Sequence, residues 1–213
     1  MARENRPRVL SPRMHPIYLI RHGETALNAN RTLQPPSTPL SERGLELARR
    51  LGERLRSAKL ARILASDLAR AAMTAEAVRA ATGAPLEFDA ELHERNFGDL
   101  RGRSYDSLGF DPFGEGYEPP AGESWEVFHE RVARAWRNLL AVAARTEGPL
   151  AVVTHGLVCR GVVAFHAPPA AGLAPPAGWR NTSVSVLEGA PWRATLIDCV
   201  SHLDGDACEG GKA

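Results

Sequence analysis

The sequence predicts an α/β layered fold with a largely parallel sheet. Three observations carry that expectation: short apolar runs rich in branched residues, amphipathic helical stretches alternating with them, and a closing pair of strands joined by a tight turn. The first run, Ile17-Tyr18-Leu19-Ile20, has the length of a buried strand and ends at Arg21-His22-Gly23. Ser41 can cap a helix in which Ala48, Leu51, Leu55 and Ala58 recur at spacings of three and four, with Pro39 marking the turn before it. A strand over Arg62 to Ala65 leads to Ser66-Asp67, either of which can cap the next helix; its stripe is Leu68, Ala72, Ala75 and Val78, and Gly83 stops it. Strand-like segments near Leu86 to Phe88 and Leu150 to Thr154 bracket a helix from about Ser124 to Arg145 whose Trp125, Phe128, Val132, Trp136 and Leu139 share a face. Ser183 to Leu187 and Ala194 to Asp198, separated by a Gly-Ala-Pro-Trp turn, read as a hairpin closing the sheet.

A chain of 213 residues, 44% hydrophobic and 24% charged, suits one well-buried globular domain, expected over 16–204 between a basic tail at 1–15 and a second tail at 205–213. The net charge of +1 is too small for the long-range field of a nucleic-acid or anionic-membrane binder, so anion recognition must be local. The charge-free stretch Gly161 to Trp179 is interrupted by Pro168, Pro169, Pro175 and Pro176, which would break a spanning helix. Cys159, Cys199 and Cys208 show no Cys-x-x-Cys spacing and suggest neither a disulfide framework nor a zinc knuckle. The expectation is a cytoplasmic protein.

Two insertions interrupt the alternation. Between Ser104 and Glu126 lie Asp106, Asp111, Glu115, Glu118, Glu123 and Glu126 with no Lys or Arg, which reads as an acidic rim over a pocket. Pro168 to Gly178 reads as a surface connection.

Chemistry concentrates at strand ends. Arg21-His22-Gly23 places a guanidinium, an imidazole and a flexible backbone unit where helix N-termini gather in α/β folds, a suitable phosphate site. Taken alone, the triplet reads better as a hydrogen-bonded structural His22 beside a surface-paired Arg21. Arg70 falls in the first turn of its helix, where a bidentate fork adds to a dipole that favours anions; the alternative is a surface ion pair with Asp67 or Glu76. His155-Gly156 forms a second corner of the same kind, and Gly156 can offer its N–H to a phosphate. Glu94 alone reads as a loop carboxylate paired with Arg95. There is no Walker loop, no Gly-x-Gly-x-x-Gly and no His-Glu-x-x-His pair, and His15, His93, His129, His166 and His202 lack ligand-like spacing.

Five segments taken together, Arg21-His22-Gly23-Glu24-Thr25 with Asn28, Ser66-Asp67-Leu68-Ala69-Arg70-Ala71 with Thr74-Ala75, Leu92 to Gly98, Gly122-Glu123-Ser124 and Val153-Thr154-His155-Gly156, resemble the phosphoglycerate-mutase-like branch of the histidine phosphatase superfamily. The similarity runs from about Pro16 to Asp204. It implies a three-layer α/β/α sandwich with a mostly parallel mixed sheet. It also implies a covalent mechanism without metal or cofactor: His22 attacks phosphorus, Arg21, Arg70 and His155 hold the phosphoryl oxygens as cations, and Glu94 is general acid and then base. Asn28, Gln34 and Gly156 join the phosphate-binding set; the family's Gln-Gly-x-x-Asp is here Gln34-Pro35-Pro36-Ser37, and proline has no N–H to donate.

The function implied is a phosphatase for small phosphorylated metabolites. A phosphoglycerate mutase is the second reading and a catalytically silent phospho-ligand or protein-binding module the third. The segment between Gly98 and Gly122, acidic apart from Arg101 and Arg103, favours a phosphatase over a mutase and substrates without a second strong anion. No nucleic-acid or membrane partner is expected, and a homodimer is left open.

Overall fold

β1 (Ile17–Arg21) forms the heart of a six-stranded sheet because both its faces are covered by apolar side chains. The computed structural model describes residues 14–204, so the expected tails lie almost wholly outside the described residues. After β1 come α1 (Ala26–Ala29), α2 (Glu42–Leu55), β2 (Arg62–Ala65), α3 (Ala69–Thr82), β3 (Leu86–Phe88), α4 (Trp125–Ala143), β4 (Leu150–Thr154), α5 (Gly156–Phe165), β5 (Val184–Glu188), β6 (Arg193–Cys199) and α6 (Ser201–Asp204). The strand order is β3-β2-β4-β1-β5-β6, with the first four parallel and the β5–β6 hairpin antiparallel. The fold is therefore the mixed, mostly parallel α/β sandwich that the sequence predicts.

The two-residue period of the strands divides the core into two layers. Ile17 and Leu19 of β1, with Leu150 and Val152 of β4, pack against Phe128, Val132 and Trp136 of α4 and Val158 and Val162 of α5. Ile20, Ala151 and Val153 face the other way, onto Leu51 and Leu55 of α2 and Ala71, Ala75 and Val78 of α3. α2 and α3 approach closely because Gly52 faces Ala81 and the Ala77 carbonyl, 2.9 Å from where a Cβ would lie.

Ser41 caps α2 as expected, accepting from Gly44 N at 3.0 Å. Ala58 lies beyond α2, in a 3-10 turn over Arg56–Ala58. The start of α3 departs from expectation. Leu68 holds the N-cap position without a side-chain bond, because Ser66 turns to His155 and Asp67 pairs with His93. The buried side of α3 is accordingly Arg70, Ala71, Thr74, Ala75 and Val78. Among the described residues no helix is long and apolar enough to cross a membrane.

Candidate active site

β1, β2 and β4 end side by side, in the register Arg21 opposite Thr154 and Ala65 opposite Val153, so the residues that follow them meet at one sheet edge. His22 is held there by its N–H to the Thr154 carbonyl at 2.9 Å and by Asn181 Nδ2, which donates to the His22 carbonyl at 3.0 Å. Its ring Nδ1 lies 2.7 Å from the Gly23 carbonyl. A carbonyl only accepts, so Nδ1 carries the proton and Nε2 keeps a lone pair. Burial, then the charges of Arg21 and Arg70, hold the His22 pKa well below the ordinary imidazole range, so the ring is neutral at pH 7.

Arg70 is buried, and neither Asp67 nor Glu76 pairs with it. Its Nε donates to His22 Nε2 at 3.3 Å and its Nη1 to the Pro35 carbonyl at 3.3 Å. Burial lowers its pKa to about 10, which leaves it charged at pH 7. The Pro35 departure thus removes an N–H and supplies a carbonyl that aims the guanidinium. Arg21 Nη1 bonds the Trp179 carbonyl, while its buried Nε has no hydrogen-bond partner among the described residues.

His155 is fully buried, with its ring centroid 5.1 Å from that of His22. Its Nε2 lies 2.9 Å from Ser66 Oγ, which accepts from the Leu68 N–H at 3.3 Å. Among the described residues the Ser66 hydrogen has its acceptor in His155 Nε2, which places the His155 proton on Nδ1, an atom with no protein partner. Burial and the Arg70 charge keep this imidazole well below its ordinary pKa. The expectation of a cationic His155 is corrected: its ring is neutral, and it is not among the residues that line the cavity.

Glu94 borders the cavity. Its oxygens accept from the backbone N–H of Arg95 at 3.0 Å and of Leu157 at 3.4 Å. Burial raises its pKa, with those bonds and Arg70 pulling the other way. The expected side-chain pair with Arg95 is absent, because that guanidinium lies over the Trp125 ring at 3.9 Å and bonds the carbonyls of Glu123, Tyr117 and Pro112. The Glu94 loop is fixed instead by Arg131, which bonds the carbonyls of Glu91, His93 and Glu94 and both oxygens of Glu123 at 2.7 Å. Asn28 and Gln34 also reach the cavity, with Asn28 Oδ1 occupied by Asn181 and Gln34 Oε1 by Thr25, so each presents its NH2 group.

The cavity, about 510 Å³, is lined by six arginines (Arg21, Arg31, Arg70, Arg95, Arg101 and Arg160) and two carboxylates, Glu94 and Asp111. The expected acidic rim is therefore corrected. Of the six acids in that segment only Asp111 lines the cavity, while Asp106 pairs with Arg31 and Glu123 with Arg131. The segment contributes Tyr105 and Phe113, which pack with Leu33, Phe97 and Leu100 into a small apolar cap. The Pro-rich connection also ends at the site, since Ala177, Gly178 and Trp179 line it. The sequence alone points to no site role for Ser66, Arg131, Asn181, Trp179, Arg101 or Arg160.

The sheet and its edge define an α/β protein whose cavity is lined by a histidine and arginines beside a buried carboxyl group. Residues 17–200 match the model of the histidine phosphatase superfamily (branch 1), and the chain belongs to that family. It is 32% identical to a probable phosphoglycerate mutase GpmB of Salmonella choleraesuis over 91% of this chain and 97% of that one. Bacillus stearothermophilus YhfR superposes with a TM-score of 0.75 at 33% identity, over 89% of this chain and all of YhfR. A mycobacterial glucosyl-3-phosphoglycerate phosphatase, solved with VO3, gives 0.73 at 25% identity, over 87% of this chain and 100% of that one.

Proposed function

We propose that this chain is a metal-independent phosphatase of small phosphorylated metabolites that works through a phosphohistidine on His22. The observation that carries the reading is the His22 tautomer: the Gly23 carbonyl holds Nδ1–H and leaves the Nε2 lone pair on a ring bordering the cavity. Nε2 attacks phosphorus as the ester P–O bond breaks, and Glu94 gives its proton to the departing oxygen. Water then attacks phosphorus, Glu94 takes back a proton, and inorganic phosphate leaves as the lone pair returns to Nε2. Arg21, Arg70, the amides of Asn28 and Gln34 and the Gly156 N–H hold the phosphoryl oxygens, and the buried His155 ring supports His22 from its side. Charge-assisted hydrogen bonds of this kind contribute about 1.5 to 3 kcal/mol each, which supports phosphoryl binding by protein groups.

A phosphoglycerate mutase is the second reading, favoured by the name of the Salmonella relative and by the cationic lining. Quenching the enzyme with a radiolabelled phosphate ester and following both acid-labile protein label and free phosphate separates the two. Label on the wild type, none on His22→Ala, and steady phosphate release support hydrolysis. Transfer between positions of a phosphoglycerate without release would reverse the order, and turnover by His22→Ala would remove His22 as nucleophile.

A further inference from the structure

Pro35, Pro36 and Pro39 each lock their own φ and push the residue before them out of the α region, so Gln34, Pro35, Pro36, Thr38 and Pro39 are all constrained before any tertiary contact forms. The segment is anchored at both ends on the loop that carries His22. Thr25 Oγ1 donates to Gln34 Oε1 at 2.8 Å at one end, and the Ser41 N–H donates to the Glu24 carbonyl at 2.9 Å at the other. Between these anchors the chain turns over residues 35–38, with Pro36 at the second position, where its fixed φ suits a turn, and the Thr38 N–H donating to the Pro35 carbonyl at 3.3 Å.

Both carbonyls of the proline pair serve α3. The Pro36 carbonyl accepts from the Ala69 N–H, the first of that helix, at 3.2 Å. Such an N–H has no partner inside its own helix, and the N-cap residue Leu68 supplies no side-chain bond there. The Pro35 carbonyl accepts from Nη1 of Arg70, the next residue, at 3.3 Å. Two bonds, from Nη1 to this carbonyl and from Nε to His22 Nε2, fix the plane of the guanidinium. Only the first survives when Nε turns to a phosphoryl oxygen.

We infer that the Pro35-Pro36 turn is a positioning element for Arg70, a rigid ledge that caps α3 and holds one corner of the guanidinium while the other moves between His22 and the anion. Its advantage is rigidity. The prolines restrict the ledge already in the unfolded chain, and an acceptor fixed in advance needs no reorganisation during the reaction. The consequence for turnover rests on the proposed phosphoryl transfer; the restraint on Arg70 does not.

Hydrogen exchange of the Arg70 Nε–H, followed by nitrogen-15 NMR and identified by its loss in Arg70→Lys, reads that restraint without turnover. In Pro35→Gly/Pro36→Gly the exchange should quicken by about 10-fold or more, and kcat/KM for an aryl phosphate should fall by about 3- to 10-fold. The same two glycines added to Arg70→Lys should change kcat/KM by less than about twofold, because the fork that the ledge serves is gone. Pro36→Ala, a milder change, should quicken exchange by less and decides the question if the glycine pair does not fold. Unaltered exchange in the folded variants, or an equal loss of kcat/KM with arginine or lysine at position 70, would overturn the role of the ledge. Quickened exchange in a protein that hydrolyses no phosphate ester would support the ledge and remove the phosphatase reading alone.

Discussion

Arg70 Nε sits 3.3 Å from His22 Nε2 and aims its hydrogen at the lone pair that the Gly23 carbonyl leaves on that nitrogen. Under the proposed mechanism this guanidinium must turn from the His22 lone pair to a phosphoryl oxygen when substrate arrives. The exchange is favourable because a neutral acceptor is traded for an anionic one, and hydrogen bonds to ionised acceptors are about twice as strong.

Arg70→Lys keeps the charge and loses the fork that reaches His22 and the Pro35 carbonyl together. We expect kcat/KM to fall by about 10²- to 10³-fold, the usual effect of losing one donor to developing negative charge, while Arg70→Gln falls further. Steady-state kinetics with an aryl phosphate checks this. A lysine variant within threefold of wild type would show that the planar geometry is irrelevant.

Ser66 is a positioning residue under the same reading, because its hydroxyl settles which His155 nitrogen carries the proton. Ser66→Ala frees Nε2 and lets the proton move there, away from Nδ1. Losing one oriented hydrogen bond of about 1 to 1.5 kcal/mol corresponds to a drop in kcat of about 10-fold, and Ser66→Thr should restore it. Nitrogen-15 shifts of His155 report the tautomer whatever the activity. Protonated Nε2 in the wild type would contradict the assignment.

Legibility in the sequence followed locality. Arg21 and His22 were readable because they are contiguous and directly follow a buried strand. Ser66 reads from the sequence as a cap because a serine before a helix has a good local use; its partner in the fold, His155, is 89 positions away. The cationic lining of the cavity is hidden from the sequence for a similar reason. Acids counted along 104–126 suggested a negative rim, but Asp106 and Glu123 are taken by Arg31 and Arg131, and the lining arginines come from segments far apart in the chain. Arg131 carries no local signal in the sequence, because only the fold brings the carbonyls of Glu91, His93 and Glu94 to it.

The two buried imidazoles also fix how stability must change with pH. His22 and His155 both have folded pKa values well below the ordinary 6.5, chiefly through burial, with neighbouring cations adding to it. Above pH 6.5 neither state binds a proton at these rings, and their contribution to the pH dependence vanishes. Below it the unfolded chain takes up protons that the folded protein refuses, so stability is lost as pH falls. Each ring adds a slope approaching about 1.4 kcal/mol per pH unit once the pH is well under 6.5, until its own folded pKa is reached. Glu94 acts with the opposite sign, since its folded pKa is raised and it destabilises the protein as pH rises above the ordinary 4.5. Urea midpoints at pH 7.5, 6.5 and 5.5 should therefore fall toward the acid end, with most of the loss between the last two. His155→Asn, which cannot titrate, should lower stability throughout and flatten that acid slope relative to wild type. An unchanged slope would mean that His155 is protonated in the folded protein, and the neutral-donor assignment would fail with it.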